Sequence, residues 1–266
     1  MKLVQNSWNL GDVISVNHSI PIKFIEVAGA ENTENFIRLL ARDVYSEADS
    51  QSLYDYLTRP DRQWGISTEV FAFLRMWLED ELKHYRAIQR VYRAVSGVSY
   101  EHIEQQEADR VHEVEPINFV LNDEFTFLVA LAFDEFGSTL SYRRDLQEYY
   151  RHYGPEVASV CQHLVRDEGA HAQNAIQLLI ERHGHRLDEV EETLSQIIEL
   201  EASLGRYCKT FFLDHAQEQN RFPPFFNEVV VQIILSRLGL ADKPSGARVR
   251  ETWNWKPVGQ HLTPVA

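Results

Sequence analysis

Two short motifs on helical stripes constrain the fold of this chain more than any other feature. In Glu81-Leu82-Lys83-His84 a glutamate precedes a histidine by three residues, and Glu168-Gly169-Ala170-His171 repeats that spacing. Side chains three residues apart leave the same face of a helix, so each pair presents a carboxylate and an imidazole together. Both pairs lie on apolar stripes with the four–three spacing of helices that face a partner in a bundle. Two such pairs can hold two metal ions.

The apolar periodicity predicts an all-α fold, a four-helix bundle with additional C-terminal helices. A polar segment over residues 98–115 is expected to connect the second and third long helices. The predicted helices run from about Asn32 to Leu57, from a Ser67 cap to Gly97, from about Leu121 to Tyr142, onward from Pro155, from 187 to about 215, and from Asn227 to Leu238.

The same pattern divides the chain into three parts. Residues 1–31 show no sustained period and are expected to form an irregular N-terminal arm on the body of the protein. Residues 32–240 form the predicted helical bundle domain. Residues 241–266 carry Pro, Gly and Trp residues and are expected to form an ordered tail without a domain of their own.

Two further glutamates occupy inward stripe positions. Glu47 lies on the first long helix and Glu135 on the third. Together with the two motifs they give the order carboxylate, ExxH, carboxylate, ExxH, which is the ligand pattern of ferritin-like di-iron bundles. The sequence therefore predicts a ferritin-like four-helix bundle with metal ligands at Glu47, Glu81, His84, Glu135, Glu168 and His171. Asp43, one turn before Glu47, is the alternative ligand on the first helix.

Buried together, these carboxylates require cations. Burying an unpaired charge costs several kcal/mol, and two divalent ions balance the four carboxylates. Ligation rich in carboxylate, with one histidine per metal, favours two Fe ions, with Mn possible. Glu47 and Glu135 are expected to serve one metal each while Glu81 and Glu168 bridge. Asp167 and Asp80 are expected to accept hydrogen bonds from His84 and His171 across the bundle.

Other residues near the motifs have two readings each. Ser138 and Thr139 follow Glu135 by about one turn, so a hydroxyl there can assist proton delivery or simply bond to a preceding backbone carbonyl. Phe73, Trp77, Leu131 and Phe133 can line a channel for an alkyl chain or be plain core. The basic row Lys83, Arg86, Arg90 and Arg93 can dock an acidic partner or be a solvated face.

Charge and composition argue against several classes of function. The formal charge of −14 lacks the basic footprint of a nucleic-acid binder. We expect no secretory signal, because the first residues lack an apolar segment, and no membrane insertion, because the longest apolar run, 127–133, is too short. The only cysteines, Cys161 and Cys208, fit a reducing, cytoplasmic setting and exclude a cysteine-ligated iron–sulfur cluster within this chain. Electrons for an oxidation must then come from an external donor.

These motifs resemble those of the soluble acyl-carrier-protein desaturases of the ferritin-like superfamily. Glu135 follows Glu81 by 54 residues and Glu168 follows Glu135 by 33, intervals similar to those of that family. Fainter similarity extends to His18-Ser19-Ile20-Pro21 and to Arg237-Leu238-Gly239-Leu240. The resemblance covers about residues 30–240. The chain departs from the family pattern at Asp80, where glutamate is usual, and at Gly169-Ala170, where the family has basic or polar residues.

The resemblance implies a di-iron oxidoreductase that uses O₂ to desaturate a fatty acyl chain bound to acyl carrier protein. It also implies a homodimer, reduced ferredoxin as electron donor, and Ser138 as the hydroxyl residue one turn after the third-helix ligand. The alternatives are a di-iron hydroxylase or N-oxygenase of another small molecule, a ferritin-like or rubrerythrin-like protein that handles iron or peroxide, and a structural bundle without metal.

Overall fold

Helices account for 79% of the residues described by the computed structural model, which covers residues 2–60, 65–204 and 222–255. No strand occurs in these ranges, and the prediction of an all-α fold is confirmed. Three short 3-10 helices span Glu115–Leu121, Tyr150–Tyr153 and Gly184–Glu189. The α-helices are α1 Leu10–Val13, α2 Ile22–Ala28, α3 Ala30–Leu57, α4 Thr68–Ser96, α5 Tyr100–Ala108, α6 Glu124–Glu148, α7 Pro155–His183, α8 Val190–Leu204, α9 Phe226–Arg237 and α10 Gly246–Asn254.

Four long helices form the body of the protein. Helix α3 packs along α4, α6 packs along α7, and α4 also contacts α7. Their buried apolar residues form two clusters. One holds Phe36 to Val44 of α3 with the second half of α4, and the other holds Leu53 and Leu57 with the first half of α4. The inward polar residues of α3 and α4 lie between the two clusters, which shield them from water on both sides.

The predicted ends of the long helices follow from local signals. The Ser67 side chain caps α4 by accepting a hydrogen bond of 3.2 Å from the Val70 amide. Gly97 ends α4 with a φ of 77°, a left-handed conformation that favours glycine. Helix α7 starts at Pro155, where a missing amide hydrogen costs no intrahelical hydrogen bond.

Short helices interrupt three segments that the periodicity left irregular or connecting. Helices α1 and α2 lie in the N-terminal arm, α5 lies in the segment 98–115, and α10 lies in the tail. These helices are too short to show a sustained period, but Asn9, Ser99 and Ser245 cap three of them through side-chain oxygens. The predicted fifth helix corresponds to α8, and the part of that prediction beyond residue 204 lies outside the described residues, as does Cys208.

Within the described ranges no single helix is both long and apolar enough to cross a membrane. The 3-10 helix Glu115–Leu121 and α6 pass such a test only when taken together, and a bend of 109° separates them.

Candidate metal centre

The six predicted ligands converge between the four long helices. Helix α3 supplies Glu47, α4 supplies Glu81 and His84, α6 supplies Glu135, and α7 supplies Glu168 and His171. Every one of them is buried, and the most exposed, Glu47, shows 4% of its surface. Their donor atoms form two groups, each with all atoms within 4.8 Å of one another: Glu47, Glu81, His84 and Glu168 in the first, and Glu81, Glu135, Glu168 and His171 in the second.

The first group surrounds Nδ1 of His84. This atom lies 3.5 Å from Oε2 of Glu47 and 3.3 Å from Oε2 of Glu81. It also lies 3.3 Å from Oε1 of Glu168. One nitrogen and three carboxylate oxygens from α3, α4 and α7 therefore point to a common space.

The second group repeats this arrangement around Nδ1 of His171. Oε1 of Glu81 lies 2.9 Å from this nitrogen, Oε2 of Glu135 lies 3.3 Å from it, and Oε2 of Glu168 lies 3.8 Å from it. Glu81 and Glu168 thus each turn one oxygen toward each histidine. The two imidazole centroids are 6.0 Å apart.

These separations suit donor atoms around a metal ion. Metal–ligand bonds of about 2.1 Å that meet near a right angle place donor atoms roughly 3 Å apart. Five of the inward atoms, Oε2 of Glu47, both oxygens of Glu81, Nδ1 of His84 and Oε2 of Glu168, have no hydrogen-bond partner among the described residues. Buried polar atoms normally have a partner, so a cluster of such atoms facing one another is suited to cations. The buried Glu and His residues can hold metal.

Two aspartates fix the orientation of the histidines from the outside. Oδ2 of Asp167 lies 3.1 Å from Nε2 of His84, and Oδ2 of Asp80 lies 3.4 Å from Nε2 of His171. This is the cross-bundle pairing expected from the sequence. With Nε2 engaged by a carboxylate, each imidazole has Nδ1 as its inward donor atom.

Burial shifts the proton affinities of the centre. The pKa values of the Glu47 and Glu135 carboxyls lie well above the ordinary range, first because burial disfavours the charge and then because Glu81 and Glu168 are close. Burial acts to lower the pKa of each histidine, but neighbouring carboxylates outweigh it and raise both pKa values well above the ordinary range. Without a bound cation the centre therefore retains protons, and metal ions must displace them.

Asp80 differs from these inward carboxyls. Burial acts to raise its pKa, but hydrogen bonds with His171 and Lys83 outweigh that effect and lower the pKa to about 2. Asp80 is therefore an anion at neutral pH and a hydrogen-bond acceptor for His171.

The N-terminal arm covers the outer side of both aspartates. The indole N–H of Trp8 donates to Oδ2 of Asp167 at 2.7 Å, and the Gln5 amide donates to Oδ1 of Asp80 at 3.3 Å. The backbone of Val4 exchanges two hydrogen bonds with the side chain of Asn174 on α7, at 2.9 and 2.8 Å. The arm is thus anchored beside the centre.

The basic row on α4 holds this arm. Lys83 lies over the Trp8 ring and pairs with Asp80 at 2.7 Å. Arg90 donates to the carbonyl of Ile14 at 2.5 Å, and Arg93 donates to the carbonyl of Val16 at 3.4 Å. Lys83, Arg90 and Arg93 therefore bind the N-terminal arm of the same chain, a role that the sequence pattern did not suggest. The fourth residue of the row, Arg86, is exposed.

The remaining candidates have clear positions. Asp43 pairs with Arg42 at 2.6 Å and belongs to neither donor group, so the geometry favours Glu47 on α3. Thr139 donates its hydroxyl to the backbone carbonyl of Glu135 at 2.8 Å, and Ser138 is half-buried. A role for Ser138 or Thr139 in proton delivery stays a prediction. The apolar candidates Phe73, Trp77, Leu131 and Phe133 are all buried in the core.

Two aromatic donors at the centre were not identified from the sequence. The indole N–H of Trp77 donates to Oε1 of Glu135 at 2.7 Å, and the Tyr142 hydroxyl donates to Oε1 of Glu47. A signal was present, since Trp77 and Tyr142 occupy inward stripe positions on α4 and α6. A buried indole or phenol needs a hydrogen-bond partner, and the inward carboxylates are the acceptors at hand.

No protein-family model, curated protein or solved structure matches the chain. The donor atoms, their separations and their surroundings are therefore the basis for a functional assignment.

Proposed function

We propose that this protein is a di-iron oxidoreductase that uses O₂ to oxidise an unactivated C–H bond. One observation carries the proposal: two groups of one imidazole nitrogen and three carboxylate oxygens share Glu81 and Glu168. Structural zinc sites favour closed Cys and His sets, whereas carboxylate-rich ligation with one histidine per metal suits iron or manganese. Four long helices that each contribute a carboxylate support the ferritin-like bundle as the fold.

When bound here, two iron ions supply the redox chemistry that activates O₂. The protein's own residues supply the setting. Asp167 and Asp80 hold the imidazoles of His84 and His171 in the orientation that turns Nδ1 inward. The two apolar clusters exclude water above and below the ligands, so a reactive species formed there is protected from the solvent.

The substrate and partners in this proposal come from the sequence resemblance. We propose desaturation of a fatty acyl chain on acyl carrier protein, with reduced ferredoxin as the electron donor and a homodimer as the working unit. A hydroxylase or N-oxygenase of another small molecule is the enzyme alternative, because the same ligands suit either reaction. An iron-storing or peroxide-scavenging relative is the alternative from another class.

Metal content is the first test. The purified protein is loaded with Fe(II) without oxygen, freed of excess metal, and analysed for iron and for particle mass. About two irons per chain in a small oligomer supports the proposal, whereas hundreds of irons in a large shell indicates storage. The variant Glu81→Ala removes a carboxylate shared by both groups, and it is expected to lose both irons. A wild-type protein that retains no iron would overturn the proposal.

The reaction is the second test. The loaded protein is reduced, exposed to O₂ with an acyl carrier protein that bears a saturated acyl chain, and the product is analysed by mass spectrometry. Loss of two hydrogens identifies a desaturase, and gain of one oxygen identifies a hydroxylase. No change on any acyl carrier, with two irons bound, would exclude the acyl substrate and leave the metal centre in place.

A further inference from the structure

The two carboxylates that belong to only one donor group are each held by an aromatic hydrogen-bond donor. Trp77 donates its indole N–H to Oε1 of Glu135 at 2.7 Å, which leaves Oε2 to face His171 at 3.3 Å. Tyr142 donates its hydroxyl to Oε1 of Glu47, which leaves Oε2 to face His84 at 3.5 Å. In each carboxylate one oxygen faces the donor group and the other faces an aromatic side chain.

Glu81, which belongs to both groups, differs from Glu47 and Glu135 in its hydrogen bonds. Neither of its carboxylate oxygens accepts a hydrogen bond within the described part of the chain. Its Oε1 lies 2.9 Å from His171 and its Oε2 lies 3.3 Å from His84, both measured to Nδ1. Within the described residues, both oxygens of Glu81 therefore lie among the donor atoms without a hydrogen bond, whereas Oε1 of Glu47 and Oε1 of Glu135 each accept one from an aromatic side chain.

Both contacts cross from one long helix to another. Trp77 on α4 reaches across to Glu135 on α6, and Tyr142 on α6 reaches across to Glu47 on α3. Trp77 is fully buried and Tyr142 is 7% exposed, so water competes little for either hydrogen bond. An indole nitrogen can only donate, which means that Trp77 cannot be satisfied by a metal ion.

We propose that Trp77 and Tyr142 are positioning residues that limit Glu135 and Glu47 to one metal bond each. This inference rests on the proposed function, because it concerns how the iron ions are held. Each group would then offer a metal four protein donors: one oxygen of the held carboxylate, one oxygen from each of the two shared carboxylates, and one histidine nitrogen. A chelating carboxylate would occupy a further coordination position, so the aromatic donors keep positions open for an external ligand.

The test uses the variants Trp77→Phe and Tyr142→Phe, loaded with Fe(II) without oxygen. Each substitution removes the hydrogen-bond donor and keeps an aromatic ring, which frees the second carboxylate oxygen to chelate. Near-infrared magnetic circular dichroism reports the coordination number of the ferrous ions, and azide titration reports the open positions. We expect a higher coordination number and an azide affinity lower by about 10-fold or more, because the oxygen released from its hydrogen bond would compete with azide for the open position.

Tyr150→Phe is the matched control. Tyr150 is a fully buried tyrosine, and its hydroxyl has no hydrogen-bond partner among the described residues. This variant should keep the wild-type spectrum and azide affinity. If Trp77→Phe fails to fold, Tyr142→Phe decides the outcome alone, because it is nearly isosteric.

The results separate this inference from the proposed function. Two irons per chain with an unchanged spectrum and azide affinity in the folded variants would overturn the positioning role alone. Loss of an iron from a variant would also overturn it, because the donors would then be needed for retention and not for the number of bonds. A wild-type protein without iron would overturn the proposed function and this inference with it.

Discussion

Individual carboxyls at the centre weaken the metal-free fold at neutral pH. The pKa of the Glu135 carboxyl lies well above the ordinary value, mainly because the side chain is buried. An acid whose pKa is higher in the folded protein than in the unfolded chain favours folding only while it is protonated. Its contribution is lost as the pH rises from the unfolded value of about 4.3 through the folded one. A metal ion bound by Glu135 would remove this cost.

The variant Glu135→Gln is therefore expected to stabilise the metal-free protein. The amide is neutral, and its oxygen can still accept the hydrogen bond from Trp77. In the presence of a chelator at pH 7.5, calorimetry should show a higher Tm, by about 2–4 °C for each kcal/mol gained in a chain of this size. The same variant should bind fewer irons than the wild type.

A surface substitution provides the comparison. Glu34→Gln removes the same charge from α3, but the Glu34 side chain is 64% exposed and pairs with Arg38, which is 51% exposed. Exposed pairs contribute little, so its Tm should match that of the wild type. A lower Tm for Glu135→Gln than for Glu34→Gln under these conditions would contradict the account of the buried charge.

Among the elements, the N-terminal arm supports the centre without contributing a ligand. Trp8 stacks on His163, with ring centroids 4.6 Å apart, and its N–H reaches Asp167. Asp167 in turn contacts His84 at 3.1 Å. Partners beyond the metal ligands fix ligand orientation, so the arm is expected to slow metal loss.

Trp8→Phe tests this support. The substitution keeps a ring against His163 and removes the hydrogen bond to Asp167. Iron release to a chelator, followed by absorbance, should become faster by up to about 10-fold, with little change in far-ultraviolet circular dichroism. Trp253→Phe is the control, because Trp253 lies on α10 and its ring faces Arg143. Equal release rates for the two variants would show that the arm does not support the centre.

Glu124 joins the ends of three long helices. It lies at the start of α6, accepts the Ser67 amide before α4 at 2.7 Å, and accepts Arg182 near the end of α7 at 2.8 Å. Burial acts to raise the pKa of Glu124. The hydrogen bonds from Arg182 and from the Ser67 amide outweigh burial and lower that pKa. A depressed folded-state pKa contributes stability above the unfolded value of about 4.3, and that contribution is lost as the pH falls.

Glu124→Gln should therefore destabilise the protein by about 1.5–3 kcal/mol at pH 7, the usual range for hydrogen bonds to a charged group. Denaturant titration at pH 7 and pH 4 should show the difference from wild type shrinking in acid. Glu69→Gln removes the other carboxylate that pairs with Arg182, at 3.0 Å and with a 54% exposed side chain, and should cost less than about 1 kcal/mol. If the difference in unfolding free energy between Glu124→Gln and the wild type grew toward pH 4, the pKa of Glu124 would not be lowered in the folded protein.

Some helices and site residues could be predicted from the sequence, and others could not. Glu81 with His84 and Glu168 with His171 could be predicted because both members of each pair lie on one helix at a fixed spacing. Helices α1, α5 and α10 could not be predicted from periodicity, since fewer than ten residues give no sustained stripe. Trp77 and Tyr142 were missed as hydrogen-bond donors because their acceptors lie on other helices, at crossings that a single sequence does not specify.

At the scale of the whole molecule, the candidate ligands connect all four long helices. Metal in the first group would connect Glu47 of α3 to the shared Glu81 and Glu168, and metal in the second group would connect Glu135 of α6 to the same two residues. Ions that bind only the folded chain stabilise it by mass action. Metal loading is thus expected to act on the unfolding of the entire bundle and not on one helix.

Metal removal at different pH values tests this coupling. With iron in excess over its Kd at both sites, unfolding should occur on the order of 10 °C higher than in chelator at pH 7.5. The pKa values of His84 and His171 are raised well above the ordinary range because carboxylate charge outweighs burial, so protons compete with metal increasingly as the pH falls. The metal-dependent rise in Tm should therefore shrink from pH 7.5 to pH 6.

Glu81→Gln, which removes the charge of a shared ligand, should show almost no rise in Tm with metal at either pH. An equal rise in this variant and in the wild type would show that the stabilising metal binds elsewhere.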